Sequence, residues 1–218
     1  MLLPIGKIID ISMEISEEMT VYKNREENRP KIDVTRDFNN SDAYETTITI
    51  GMHTGTHLDR PLHVIEGGET MDSLNLESAV LPCQVLDLTK VKGGIKREDL
   101  EGKMIHRDHF ILLKTKNSFE EAFDFSFVYL AESGARYLME RGVKGVGIDA
   151  LGIERDQPKK TTHKTLLGND IIILEGLRLS KAEEGNYLLI AAPLKIKSAE
   201  AAPVRAMLLE MEEKESRH

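Results

Sequence analysis

Three of the seven histidines fall within His53-Thr54-Gly55-Thr56-His57-Leu58-Asp59-Arg60-Pro61-Leu62-His63. Imidazole and carboxylate side chains crowded in this way suit zinc, manganese or iron, whereas a calcium or magnesium site would be almost all oxygen. His53 and His57 have the i, i+4 spacing of a metal-binding helix, but Thr54, Gly55, Thr56 and Pro61 are poor helix formers. The segment therefore reads as a turn, with Gly55 free to adopt a positive φ and fold the imidazoles toward one point. Beyond the turn, His57 and Asp59 project to the same side of an extended segment. The two oxygens of Asp59 can bridge a pair of ions, and Pro61 fixes the path toward His63. The bland alternative is a loop whose histidines are hydrogen-bonded to backbone.

Two further candidates lie in the second half. His163 closes Lys159-Lys160-Thr161-Thr162-His163, which reads as a polar loop. Glu175 ends the apolar run Ile171-Ile172-Ile173-Leu174, just before Gly176. A carboxylate at the end of a buried strand is costly unless paired or metal-bound. Taken singly, each signal is weak, and a surface histidine and a salt-bridged glutamate are the ordinary readings.

Strands must position these groups. Period-two alternation predicts them at Lys7 to Ser12 and Tyr44 to Ile50, the second running into Gly51-Met52-His53. Others are expected at 82–88, 109–115, 144–149, 170–175, 186–192 and 204–210. Helical periodicity is strongest over Ala131 to Arg141, with Gly142 as terminator, and a shorter helix is expected near Lys96 to Leu100. Neither repeat nor linker interrupts the chain. Strands and a few helices in no strict βαβ rhythm predict one mixed α/β domain over residues 1–218, with a mostly β core.

Composition narrows the function. The chain has 218 residues, 40% of them hydrophobic, enough for a sizeable single core. A net charge of -8 argues against a nucleic-acid role. No run approaches the roughly 18 to 20 apolar residues of a membrane helix, and Met1 to Thr20 carries acids where a signal peptide would be apolar, so a cytoplasmic protein is expected. The single cysteine, Cys83, excludes an internal disulfide and a cysteine-cluster zinc site. It is expected to be a buried strand residue, neither ligand nor nucleophile.

The run HTGTHLDRPLH resembles the H-x-G-T-H-x-D-x-P-x-H signature of the cyclase family, which includes bacterial kynurenine formamidases (arylformamidases) and isatin hydrolases. Similarity extends through Ile9 to Ser12, Gly142 to Asp149, His163 to Gly168, Ile173 to Gly176 and Ala202 to Ala206. The resemblance implies a cyclase-like fold and a metal-dependent hydrolase acting on a small-molecule amide, N-formyl amide or cyclic amide. It implies that His53 and His57 bind one metal, His163 a second, and Asp59 and Glu175 both, while His63 is the catalytic acid and base. Two divalent ions are implied, zinc or alternatively manganese, in a homodimer or higher homo-oligomer. Isatin hydrolase-like ring opening and a non-catalytic metal-binding protein are the competing readings.

Three positions depart from the formamidase pattern. Tyr22 stands where those enzymes carry a substrate-contacting Trp, and it is either a substrate contact or ordinary core packing. Asp149-Ala-Leu-Gly152-Ile-Glu154 replaces Asp-x-x-Ser-x-Asp. Arg60 replaces a small residue beside the site.

Overall fold

The computed structural model describes residues 5–211, and the ends of the expected domain over 1–218 lie outside the described residues. Strands form at β1 (Ile5–Asp10), β2 (Lys31–Arg36), β3 (Glu45–Thr49), β4 (His57–Asp59), β5 (Val80–Asp87), β6 (Gly94–Ile95), β7 (Phe110–Lys114) and β8 (Tyr129–Leu130). They continue at β9 (Gly145–Ile148), β10 (Ile172–Glu175), β11 (Gly185–Ile190), β12 (Ala201–Pro203) and β13 (Met207–Met211). The α-helices are α1 (Arg97–Leu100), α2 (Glu132–Arg141) and α3 (Thr161–Leu167).

Nine strands make one mixed sheet, in the order β1-β13-β11-β5-β7-β9-β10-β4-β12. Its centre, β5-β7-β9-β10, is parallel, and both flanks are antiparallel. Parallel strands are covered on both faces, so they read as continuous apolar runs. β7 does this with Phe110 and Leu112 in one core and Ile111 and Leu113 in the other. The second core also takes Ala135 and Leu138 of α2 and Leu166 and Leu167 of α3. Gly142 terminates α2 with a left-handed φ of 73°, as expected from its place.

His163, expected on a polar loop, instead lies on α3. Threonines make that segment a weak helix former, but Thr162 and Leu166, and His163 and Leu167, recur four apart and are all buried. Burial of one face outweighs local propensity. The strand predicted over 204–210 starts later, as β13 from Met207, and a separate short strand, β12, precedes the predicted range. Cys83 is buried on β5 in the core that contains Leu58 and Leu174, and burial pushes its thiol up to about 12.

β9 needs glycine where it crosses β7. Gly145 is in register with Phe110, and a Cβ there would fall 2.1 Å from the ring. Gly145→Ala is therefore expected to lower stability by about 1–3 kcal/mol through overpacking. Gly102→Ala, with no atom within 4 Å of the added methyl, is the matched control. Urea unfolding checks both, and equal midpoints would contradict the packing argument.

Candidate metal centre

The centre is built on β4 and β10, whose register sets Glu175 opposite His57 and Ile173 opposite Asp59. Leu58 and Leu174 enter one core and Ile173 the other. The pleat therefore sends His57, Asp59 and Glu175 to the same face, the one covered by α3. The preceding turn supplies His53. Gly55 takes a φ of 68°, as its place in the turn requires. Thr56 fastens that turn by donating its hydroxyl to the Gly176 carbonyl at 2.6 Å and accepting from the Met13 amide at 2.7 Å. Gly176 also lies so near the turn that a Cβ would sit 2.2 Å from the Gly55 carbonyl oxygen. The two sequence segments are thus locked together beside the site.

Asp59 occupies the middle. It is 1% exposed, and neither carboxylate oxygen accepts a hydrogen bond. His53 Nδ1 lies 3.0 Å from its Oδ1, His57 Nε2 3.5 Å from the same oxygen, and His163 Nε2 3.8 Å from Oδ2. Glu175 completes the cluster, 3.3 Å from His57 Nε2 and 3.4 Å from His163 Nε2. Burying an unpaired carboxylate costs several kcal/mol. Convergent nitrogen and oxygen lone pairs are what a divalent ion needs, and this donor set suits a zinc-like or manganese-like ion. Ligand-capable atoms of His53, His57 and Asp59, and of Asp59, His63 and His163, lie within 4.8 Å of one another in each group.

Neighbouring groups hold the imidazoles in orientation. His57 Nδ1–H donates to the Gly55 carbonyl at 2.9 Å, leaving Nε2 to face the carboxylates. His163 Nδ1–H donates to Glu154 at 2.7 Å, and Glu154 also accepts from the Thr162 amide. Such partners fix tautomer and aim. Glu175 is itself held by the Ile153 amide at 2.6 Å. Glu154 was a departure from the formamidase pattern by sequence, yet it performs an acid's task. Its only signal was an acid at the equivalent position.

His63 lies at the edge of the cluster, its ring 4.2 Å from that of His53 and 5.2 Å from that of His163. Tyr22, His53, His63, His163 and Glu175 all line one cleft of about 670 Å³. Tyr22 also packs edge-on against Phe123 and Phe127, so it combines packing with exposure to the cleft. Gly152 makes room for it, since a Cβ there would be 3.3 Å from the Tyr22 ring. Arg60 points elsewhere, bound to Glu69 and the Thr70 carbonyl.

Charge follows this geometry. Burial disfavours protonation of His57, but Glu175 and Asp59 overcome it and raise its pKa to about 9. His163 is likewise opposed by burial and raised to about 9 by Glu154, Glu175 and Asp59. Burial lowers His63 to about 4, with Asp59 opposing and His53, Lys160 and His163 reinforcing the shift. In protein stripped of metal, the two raised histidines add stability that is full below about pH 6.5 and lost as pH rises through about 9. The melting temperature of chelator-treated protein should fall across that window. Adding zinc or manganese near pH 7.5 should release protons into weak buffer, because metal replaces them. Metal uptake without proton release would contradict this assignment.

The model of the family described as "Putative cyclase" matches residues 9–155. A kynurenine formamidase of Salinibacter ruber is 34% identical over 207 residues, covering 92% of this chain and 96% of the relative. A solved structure described as a "predicted metal-dependent hydrolase" from Bacillus stearothermophilus is 46% identical with a TM-score of 0.85, covering 93% of this chain and 98% of the other. Isatin hydrolase A from Labrenzia aggregata shares the fold, with a TM-score of 0.83 at 24% identity, covering 94% of each chain. By family match, by relatives that are hydrolases and by fold, this chain belongs to the cyclase family.

Proposed function

We propose that this chain is a metal-dependent amidohydrolase of the arylformamidase kind, opening an amide, N-formyl amide or cyclic amide. The observation that carries the reading is the buried Asp59 carboxylate, which accepts no hydrogen bond and is ringed by imidazoles at a cleft where His63 stands beside the proposed ligands. His53, His57, Asp59, His163 and Glu175 would hold the metal, two ions being accommodated if both carboxylates bridge. A bound divalent ion supplies Lewis-acid activation of water and of the amide carbonyl. His63, neutral at working pH, takes a proton from the attacking water and returns it to the departing nitrogen. Tyr22 lines the cleft as an aromatic wall for the substrate. A closed structural site needs no such cleft or spare imidazole, which favours an enzyme over a metal-binding protein without turnover.

Ligand and acid-base roles separate by mutation. Asp59→Ala and Glu175→Ala should lose metal and activity together, because removing a ligand weakens binding. His63→Ala should keep most of its metal while turnover of N-formylkynurenine or isatin falls by roughly a hundredfold or more. Elemental analysis beside steady-state kinetics checks this. An emptied site in His63→Ala would make His63 a ligand. Glu154→Ala, which frees His163 Nδ1, should weaken metal affinity by about 10–100-fold. Competition with a chelator measures it, and unchanged affinity would remove Glu154 from the site.

A further inference from the structure

The cleft over the metal centre is also lined by two lysines, Lys23 and Lys160. In a chain of net charge -8 these two cations share the cleft with four carboxylates, Glu154, Asp156, Glu175 and Glu200. Carboxylates lining the same cleft have cationic or imidazole neighbours. Glu154 and Glu175 face His163, Glu200 lies 3.3 Å from His53, and Asp156 lies 4.0 Å from Arg155. Among the described residues, neither Lys23 nor Lys160 has a carboxylate within ion-pairing distance. Lys160 Nζ donates instead to His63 Nε2 at 3.2 Å, one imidazole away from the ligand cluster. An ammonium has three donors, so two more are free for a ligand.

We infer that Lys160, assisted by Lys23, selects substrates bearing a carboxylate a few bonds from the scissile carbonyl, the carboxylate pairing with the ammonium beside His63. This rests on the amidohydrolase reading and adds substrate class to it. An uncharged amide of the same shape would leave Lys160 unsatisfied by the substrate and bind more weakly. Because both lysines are solvent-exposed, the preference is sensitive to ionic strength.

The test compares 2-formamidobenzoate with formanilide on the metal-loaded protein. Wild type should favour the anion, and Lys160→Met should raise its KM about tenfold with kcat changed far less, leaving formanilide's KM unchanged. Lys160→Arg should restore most of the preference, and Lys23→Met should weaken it by a smaller factor. High salt should reduce the wild-type preference toward that of Lys160→Met. Calorimetry with 2-aminobenzoate and aniline reads the same selection without turnover. If neither formamide is hydrolysed, the N-formyl amide reading fails, while Lys160-dependent binding of 2-aminobenzoate would still support the anion site. Equal loss of kcat for both substrates, with KM and 2-aminobenzoate affinity unchanged in Lys160→Met, would overturn it and make Lys160 a positioning residue for His63.

Discussion

A carboxylate in the interior normally survives by collecting hydrogen-bond donors, as Asp149 does with Thr115, Asn117 and Ser118. Asp59 is equally buried and has none. Its neighbours are imidazole nitrogens, and those of His57 and His163 have their other nitrogen occupied by a backbone carbonyl or a carboxylate. Without a metal the arrangement depends on protonated His57 and His163, and a divalent ion between the groups would take the place of those protons. Much of the surrounding structure follows from keeping Asp59 there: the locked Gly55–Thr56 turn, the short β4 strand, and the Ile153 amide that holds Glu175.

The sheet makes that position possible. Two antiparallel partners, β10 and β12, enclose β4, so three residues of strand suffice to fix two of the proposed ligands, His57 and Asp59. The parallel centre puts the end of β10 near the loop after β9, where Ile153 and Glu154 reach Glu175 and His163. α3 then lays His163 over the same face while Leu166 and Leu167 anchor the helix in the core. Side chains proposed as ligands, separated by more than a hundred residues in sequence, thereby meet without a long loop, and His63 lines the cleft beside them.

The chain's pattern revealed the parts of this that obey local rules. Gly55 was legible as a turn residue because its neighbours exclude a helix, and His57 and Asp59 as one face because strands alternate. Glu175 stood out as a charge after four apolar residues. Other features depend on tertiary context. α3 was hidden because Thr161, Thr162 and Thr165 lower helix propensity, and burial of Leu166 and Leu167 reverses that. β2 escaped because its alternation is short, only Ile32 and Val34 between Lys31, Asp33 and Thr35, and no core draws on it: Val34 stays exposed. Arg60 sits within the motif in sequence, yet just past the end of β4 it turns to Glu69 and away from the cleft. The Lys160–His63 contact joins groups nearly a hundred residues apart and has no local signature.

The central physical claim is that Asp59 is buried without donors because a metal ion is its partner. Anomalous diffraction at the metal edge, from crystals grown with zinc or manganese, tests this directly. The expected result is a peak about 2.0–2.2 Å from an Asp59 oxygen and from histidine nitrogens, with Glu175 in the same coordination sphere and His63 outside it. A metal-replete crystal with no anomalous density at Asp59, and ordered water or a proton satisfying its oxygens instead, would contradict it.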